Sequence, residues 1–284
     1  MQKVAIVVDS LACLTRELVE QYAITIVPLN FSFGDKIYKD WVDITPSEAY
    51  ELFLKDPDSW RSSAPSPADF LEGYRRASKQ AENILCVTIS SKLSTTYNVA
   101  QIAKEKAEVD FPQTHIEVLD SRTTTAAEGF VALAAARAAA GERELDEVIR
   151  TAEDIRERIH FVAFLDTIRH VYRSGRIPKI ASQIGSILSI RPILTVYSGL
   201  VHFKAVARNK KHGIDRLLQI MSDEAGSARV HVAVMHAYAL DEATKLKERV
   251  SSGFDCAELW LTEFSPLMGY TCGTGTLGLA FYTE

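Results

Sequence analysis

Short apolar runs alternate with helical patterns in the first half of the chain. Four of these runs are rich in β-branched residues and predict strands. They are Val4 to Val8, Ile24 to Phe33, Ile84 to Ile89 and Ile116 to Leu119. Thr45-Pro46-Ser47-Glu48 and Ser66-Pro67-Ala68-Asp69 predict helix starts, because a hydroxyl N-cap residue precedes a proline at the first helical position. Strands that alternate with helices indicate a mainly parallel sheet.

The pattern changes after two consecutive predicted helices, Thr125 to Ala140 and Leu145 to Ile159. Beyond them, strands dominate, with helices only at Ile214 to Glu224 and at Asp241 to Val250, where Asp241 is the expected N-cap. A turn at Tyr197-Ser198-Gly199-Leu200 predicts a hairpin, so this second sheet should be mixed or antiparallel. The predicted strands are Phe161 to Leu165, Pro192 to Tyr197, Val201 to Val206, Val230 to Met235, Ala257 to Phe264 and Leu277 to Tyr282.

Together these elements predict an α/β protein of two lobes, residues 1–155 and residues 156–284. Hydrophobic residues make up 47% of the chain, which is enough for a sizeable core. The net charge of −5 argues against nucleic acid as a partner. No apolar stretch is long enough for an integral membrane segment. The four cysteines show no disulfide or zinc pattern, so we expect a reducing, cytoplasmic setting.

Hydroxyl side chains are concentrated at one predicted helix start, in Ser90-Ser91-Lys92-Leu93-Ser94-Thr95-Thr96-Tyr97. Unpaired N–H groups and the helix dipole make such a place suitable for a carboxylate or phosphate. Ser94 or a neighbour could equally serve only as the helix cap. A second such loop, Arg61 to Pro67, also opens a helix. Asp9-Ser10 and Asp120-Ser121 follow strands, where α/β sheets place ligands, although each can be only a turn or a cap.

Candidates for catalysis are few. No histidine has metal-ligand spacing, and no serine lies in a nucleophile elbow, so we expect neither a metal site nor a catalytic residue. The glycine-rich segment Gly269 to Thr276 predicts a loop before the last strand and matches no nucleotide fingerprint, so no cofactor is expected. His236 is a weak functional candidate at a strand end, and Cys272 is the one cysteine in a setting worth testing.

Positive charge is concentrated in two segments of this acidic chain. They are Arg173 to Lys179 and Lys204 to Lys211. A solvated basic face is the simpler explanation, and a docking surface for an acidic partner or lipid headgroups is the alternative. Arg173, Arg176, Lys204 and Arg208 are the weak docking candidates.

Six motifs, taken in order, resemble the DegV family of bacterial fatty-acid-binding proteins, which includes the FakB subunits of fatty acid kinase. The segment Ser62 to Pro67 is similar to the family's T-S-Q-P-S-P, and Ser90 to Tyr97 is similar to S-S-x-L-S-G-T-Y. Three departures are Ala64 for glutamine, Thr95 for glycine, and Thr271 where the family usually has histidine. The other four motifs are Val7-Val8-Asp9-Ser10, Asp120-Ser121, Gly175-Arg176-Ile177 and Ile190-Arg191-Pro192-Ile193-Leu194.

The resemblance implies a two-lobed DegV-like fold with a long-chain fatty acid buried between a mainly parallel N-terminal lobe and a mixed-sheet C-terminal lobe. It implies that Ser62 and Ser94 hold the carboxylate, and that Thr95, Thr271 and Cys272 lie at the same site. It also implies a lipid carrier that performs no chemistry and presents the acid to a partner such as a fatty acid kinase subunit.

Two other functions remain open from the sequence. The first is an enzyme, either a phosphotransferase subunit or a serine hydrolase that uses Ser94 or Ser62. The second is a regulatory protein with a vestigial pocket, which the departures at Thr95 and Thr271 suggest. Turnover of an acyl ester would favour the first, and a collapsed cavity would favour the second.

Overall fold

The computed structural model describes residues 2–176 and 190–284. The chain divides into two units. The first unit comprises Met1–Thr45 and Arg61–Glu157, and the second comprises Pro46–Trp60 and Arg158–Glu284. The boundary expected after residue 155 lies close to the end of the first unit. The expected contiguous lobes differ from this division at Pro46–Trp60, which belongs to the second unit.

A parallel four-stranded sheet forms the centre of the first unit, in the order β2-β1-β6-β7. The prediction of a mainly parallel sheet in this half is confirmed. Side chains of two flanking helices, including Tyr74 and Ala100, pack against sheet residues such as Val7 and Ile84. The strands are β1 (Val4–Asp9), β2 (Thr25–Val27), β6 (Asn83–Thr88) and β7 (His115–Asp120).

Five helices and a small second sheet accompany the parallel sheet. Strands β3 (Asn30–Phe33) and β4 (Lys36–Lys39) are antiparallel, and β5 (Trp60–Ser63) completes the order β4-β3-β5. The prediction of a single strand from Ile24 to Phe33 is wrong. Pro28 lies between β2 and β3, and proline has no N–H to continue a ladder. The helices are α1 (Arg16–Gln21), α3 (Pro67–Ala77), α4 (Thr96–Asp110), α5 (Thr125–Ala140) and α6 (Leu145–Arg158).

A mixed six-stranded sheet forms the second unit, in the order β10-β9-β8-β13-β11-β12. Only β11 and β12 run parallel to each other, which confirms the prediction of a mixed sheet. The predicted hairpin is present, because Tyr197 pairs with Leu200. The strands are β8 (His160–Phe164), β9 (Arg191–Tyr197), β10 (Leu200–Ala207), β11 (Val230–His236), β12 (Cys256–Glu263) and β13 (Leu277–Thr283).

Helix α2 (Pro46–Lys55) belongs to the second unit because its buried face packs there. The Tyr50 hydroxyl donates to the Phe264 carbonyl at 3.0 Å, and Phe53 packs edge to face against Trp60. The other helices in the described part of this unit are α7 (Arg169–Ser174), α8 (Lys210–Ala225), α9 (Leu240–Gly253) and α10 (Pro266–Cys272).

Two local predictions in the second unit are wrong. The expected glycine-rich loop is helical up to Cys272, because α10 starts behind Ser265, whose side chain accepts from the Leu267 N–H. The expected N-cap, Asp241, is the second residue of α9, and Ala239 occupies the cap position instead. Within the described residues, no helix is long and apolar enough to cross a membrane.

Candidate functional site

Carboxylates at the ends of β1 and β7, the strands on either side of β6, fix the hydroxyl loop, which we define as Ser90–Thr96. Asp9, at the end of β1, accepts from the Ile89 N–H at 2.9 Å. Asp120, at the end of β7, accepts from the Ser91 N–H at 3.2 Å and from its hydroxyl at 2.5 Å. Both aspartates therefore serve as backbone acceptors that position the loop between β6 and α4.

Ser10 extends this arrangement to the small sheet. Its hydroxyl donates to the buried Asp40 carboxylate at 2.8 Å and accepts from the Leu29 N–H at 3.1 Å. The Asp9-Ser10 motif thus connects the end of β1 to the hydroxyl loop on one side and to the segment before β3 on the other.

Ser94 is half-buried at the N-terminus of α4. Its oxygen lies 2.8 Å from the Thr96 hydroxyl oxygen and accepts from the Thr96 N–H at 3.3 Å. When the fully buried Thr96 hydroxyl donates to Ser94, the Ser94 proton is left for another acceptor. The side chain can therefore cap the helix and donate to an anion at the same time.

The neighbouring residue, Thr95, is exposed at the N-cap position of α4, and its side chain makes no capping hydrogen bond. Ser62 lies in β5 and is half-buried. The described part of the chain offers the Ser62 hydroxyl no hydrogen-bond partner. Ser94 and Thr95 thus share one loop, whereas Ser62 is on a separate element of the first unit.

The second hydroxyl-rich loop forms a capping box. The Ser66 hydroxyl accepts from the Asp69 N–H at 3.2 Å, and the Asp69 carboxylate accepts from the Ser66 N–H at 2.9 Å. Burial opposes ionisation of Asp69, but the hydrogen bonds from Lys39 and Ser66 outweigh it and lower the pKa of Asp69. At Ser66 the structure supports the simpler role of a helix cap.

Thr271 and Cys272 lie in the last turn of α10, in the second unit. The Thr271 hydroxyl donates to the Leu267 carbonyl at 3.0 Å, inside its own helix. Cys272 is buried, and burial raises the pKa of its thiol to about 12. A thiol with this pKa remains protonated at neutral pH and is a weak nucleophile. None of the four cysteines, all of which lie in the described residues, forms a disulfide.

Gly275 follows these residues with a φ of +82°. A Cβ at this position would lie 2.4 Å from a carboxylate oxygen of Asp166. The left-handed backbone and the nearby Asp166 side chain therefore both favour glycine at this position. These structural reasons explain the glycine without a bound nucleotide.

His236 is buried at the end of β11, where its Nδ1 accepts from the Ala239 N–H at 3.3 Å. Burial lowers the pKa of His236 to about 4, so the ring is neutral at physiological pH. The ring stabilises the turn that leads into α9, and the geometry supports a structural role. Across residues 2–176 and 190–284, no group of three or more His, Cys, Asp or Glu side chains could hold a metal ion.

The basic segments contain both paired and exposed residues. Lys204 forms an ion pair with Glu224 at 3.1 Å. Arg176 and Arg208 are exposed, and Arg173 lies in α7. Ile177 of the G-R-I motif and the rest of the first basic segment up to Lys179 lie outside the described residues.

Glu128, in the first turn of α5, is a residue that the sequence did not single out. It is fully buried and interacts with the Asp9 carboxyl group. Burial and the Asp9 charge raise the pKa of Glu128 well above its ordinary value, and burial raises the pKa of Asp9 to about 6. One carboxyl group within the apolar helix Thr125–Ala140 is the sequence feature that could have identified it.

Comparison with known proteins extends over nearly the whole chain. A family model described as "Uncharacterised protein, DegV family" matches residues 3–284. A DegV domain-containing protein of Clostridium acetobutylicum is 32% identical over 282 residues, covering 99% of this chain and 98% of the relative.

Two solved structures share the fold over their full lengths. A fatty-acid-binding DegV family protein from Thermus thermophilus has a TM-score of 0.90 at 27% identity and covers 100% of each chain. A stearic-acid-binding protein from Eubacterium ventriosum has a TM-score of 0.90 at 25% identity and covers 100% of this chain and 98% of its own. With a family model that matches from residue 3 to residue 284, the chain belongs to the DegV family.

Proposed function

We propose that this chain binds a long-chain fatty acid and holds its carboxylate with serine and threonine hydroxyls. The observation that carries the proposal is the position of Ser94, half-buried at the N-terminus of the fifteen-residue helix α4 and supplied with a hydrogen bond by Thr96. The site in this proposal consists of Ser62, Ser94, Thr95, Thr271 and Cys272.

A buried carboxylate must receive hydrogen bonds, because an unpaired buried charge costs many kcal/mol. The first turn of α4 has N–H groups without intrahelical partners and the positive end of the helix dipole. The Ser94 proton, freed when Thr96 donates to Ser94, adds a charge-assisted hydrogen bond. These donors favour a carboxylate over a neutral headgroup.

The hydroxyls of the proposed site should contribute unequally. The Ser62 proton has no acceptor within the described residues, so its donation to a ligand breaks no hydrogen bond there. The Thr271 proton already binds the Leu267 carbonyl, and donation to a ligand would break that bond. We therefore expect Ser94 and Ser62 to contribute more to carboxylate binding than Thr271.

The acyl chain supplies most of the affinity in this proposal. Each buried methylene contributes about 0.8 kcal/mol, so a long chain can offset the entropic cost of binding. The protein from Eubacterium ventriosum, which has the same fold, is a stearic-acid-binding protein. Stearic acid is therefore a suitable first ligand for this chain.

The chain acts in this proposal as a carrier without chemistry of its own. A serine nucleophile needs a neighbouring base, and the side chain that contacts Ser94 is another hydroxyl, Thr96. The carrier presents its acid to a partner enzyme, such as a fatty acid kinase subunit. Arg173, Arg176, Lys204 and Arg208 are the proposed docking residues.

Stearic acid binding to delipidated protein tests the proposal. Ser94→Ala removes one hydrogen bond to a charged group, worth about 1.5–3 kcal/mol, so the Kd should rise about 10- to 150-fold. Ser78→Ala is the matched control, because Ser78 is also half-buried and donates only to the Arg75 carbonyl in the end of its own helix. Ser94→Thr, which retains the hydroxyl, should recover most of the affinity.

Two results would contradict the proposal. Failure of the delipidated wild type to bind stearic acid, measured by calorimetry and native mass spectrometry, would remove the carrier function. Equal affinities for wild type and Ser94→Ala would remove the assignment of the headgroup. Hydrolysis of an acyl ester that depends on Ser94 would instead establish an enzyme.

A further inference from the structure

Two carboxyl groups meet in the interior of the first unit. Asp9 ends β1, and Glu128 lies in the first turn of α5, which packs against β1 and the 3₁₀ turn that follows it. Both residues have no solvent-exposed surface. The helix backbone approaches closely here, since a Cβ on Gly129 would lie 2.4 Å from the Ala12 carbonyl oxygen.

The two groups differ in the donors that they receive. The Asp9 carboxylate accepts from the Leu11 N–H at 3.0 Å and from the Ile89 N–H at 2.9 Å. Within the described chain, neither Glu128 oxygen receives a hydrogen bond from an N–H or hydroxyl group. Glu128 interacts with the Asp9 carboxyl group instead. Asp9 is therefore the better site for the negative charge, and Glu128 the better site for a proton.

The titratable groups around the pair favour protonation. Asp40 acts on Asp9, and Asp120, at the end of β7, acts on Glu128. On β6, the Cys86 thiol is buried, and burial together with the charges of both carboxyls raises its pKa. These groups are acidic or neutral, so a second negative charge at the pair would meet repulsion from several directions.

We propose that Asp9 and Glu128 share one proton in the folded protein and that this pair positions the hydroxyl loop. Glu128 donates the proton to Asp9, and Asp9 accepts from the Ile89 N–H where the loop begins. The positioning role rests on the proposed function, because Ser94 lies in this loop. The proposal makes Glu128 a positioning residue for fatty-acid binding that touches no ligand.

Deprotonation of Glu128 would place two negative charges in one fully buried site. The cost is relieved if the carboxyls move apart, and Asp9 then holds the Ile89 N–H less firmly. Fatty-acid affinity should therefore fall at alkaline pH. Glu128→Gln keeps a neutral donor of the same shape and cannot deprotonate, so it should retain affinity there. Glu128→Ala removes the donor and should weaken binding at every pH.

Infrared spectroscopy of the ligand-free protein tests the shared proton directly. At neutral pH the folded wild type should show the carbonyl stretch of a protonated carboxylic acid, and Glu128→Gln should lack it. Glu147→Gln is the control, because Glu147 is partly exposed on α6 and its ion pair with Arg143 lowers its pKa. A spectrum that Glu128→Gln leaves unchanged would overturn the proposal.

Amide hydrogen exchange tests the positioning role, also without ligand. The Ile89 N–H should exchange about tenfold or more faster in Glu128→Ala than in wild type, and Glu128→Gln should restore slow exchange. Equal exchange in Glu128→Ala and wild type would overturn this role. Since neither measurement needs a fatty acid, failure of stearic acid binding would leave both results interpretable.

Discussion

Replacement of Gly269 by alanine probes the packing of α10 against α2 in the second unit. An added Cβ would lie 1.9 Å from the Tyr50 ring carbon Cε1. The ring cannot move away freely, because Tyr50 is buried and its hydroxyl donates to the Phe264 carbonyl at 3.0 Å. The substitution therefore forces a rigid aromatic side chain or the helix backbone to shift.

The expected net effect is a loss of stability of about 1–3 kcal/mol. Alanine in place of glycine within a helix gains up to about 1 kcal/mol from backbone entropy and helix propensity. Overpacking of a filled core costs about 1–3 kcal/mol, and the loss of the Tyr50 hydrogen bond adds about 1 kcal/mol. The steric cost should outweigh the gain, because the contact lies far inside the van der Waals distance.

Urea unfolding of four variants measures this balance: Gly269→Ala, Gly253→Ala, Tyr50→Ala and the Tyr50→Ala/Gly269→Ala double variant. Gly253→Ala is the matched control, because Gly253 ends α9 and an added Cβ would meet no atom within 4 Å. This control should be neutral or stabilising by up to about 1 kcal/mol. In a Tyr50→Ala background, the penalty of Gly269→Ala should disappear. A Gly269→Ala protein as stable as wild type, or an equal penalty in both backgrounds, would refute the reasoning.

Two further predictions concern buried titratable groups of the second unit. Burial lowers the pKa of His236 to about 4 in the folded protein, so the unfolded chain binds a proton at this residue more readily. Up to about 3 kcal/mol of stability should therefore be lost as the pH falls from 6.5 towards 4. His236→Asn should reduce this acid slope in urea unfolding, and a slope equal to that of wild type would contradict the assignment. Cys272 should resist thiol reagents at neutral pH until the protein unfolds, since its thiol pKa is about 12. Mass spectrometry of the labelled peptides checks this, and rapid native labelling of Cys272 would contradict it.

Regular elements with strong local patterns could be predicted from the sequence. Helix α5 has the predicted bounds, Thr125–Ala140, because its alanine-rich composition favours a helix and Gly141 follows it. The capping box at Ser66 was also predictable, since both partners lie within four consecutive residues. In each case the deciding interactions are local.

Features that depend on tertiary packing were not predictable in the same way. Pro46–Trp60 contains a recognisable helical pattern, but its assignment to the second unit depends on contacts such as that of Tyr50 with Phe264, more than 200 residues away. The sequence did not predict α10 as a helix, because glycine disfavours helices and only the short Ser265-Pro266 cap marks its start. Local periodicity does not report which distant surface an amphipathic segment covers.

Prediction of the candidate site from the sequence has the same limit. Hydroxyl composition identified the loop with Ser94, but its mode of attachment through Asp9 and Asp120 depends on the order of strands in the sheet. Glu128 was overlooked because a single acid in a helix usually faces solvent. Its burial beside Asp9 is a property of helix-to-sheet packing.

The position of β13 in the second sheet has a consequence for folding during synthesis. This strand follows the other described strands in sequence, yet it pairs with β8 on one side and β11 on the other. Until β13 leaves the ribosome, β8-β9-β10 and β11-β12 each present an open edge at the place where it will insert. The parallel sheet of the first unit needs no residue beyond Asp120. The nascent chain should therefore acquire a folded first unit early and carry an aggregation-prone second unit until β13 is translated.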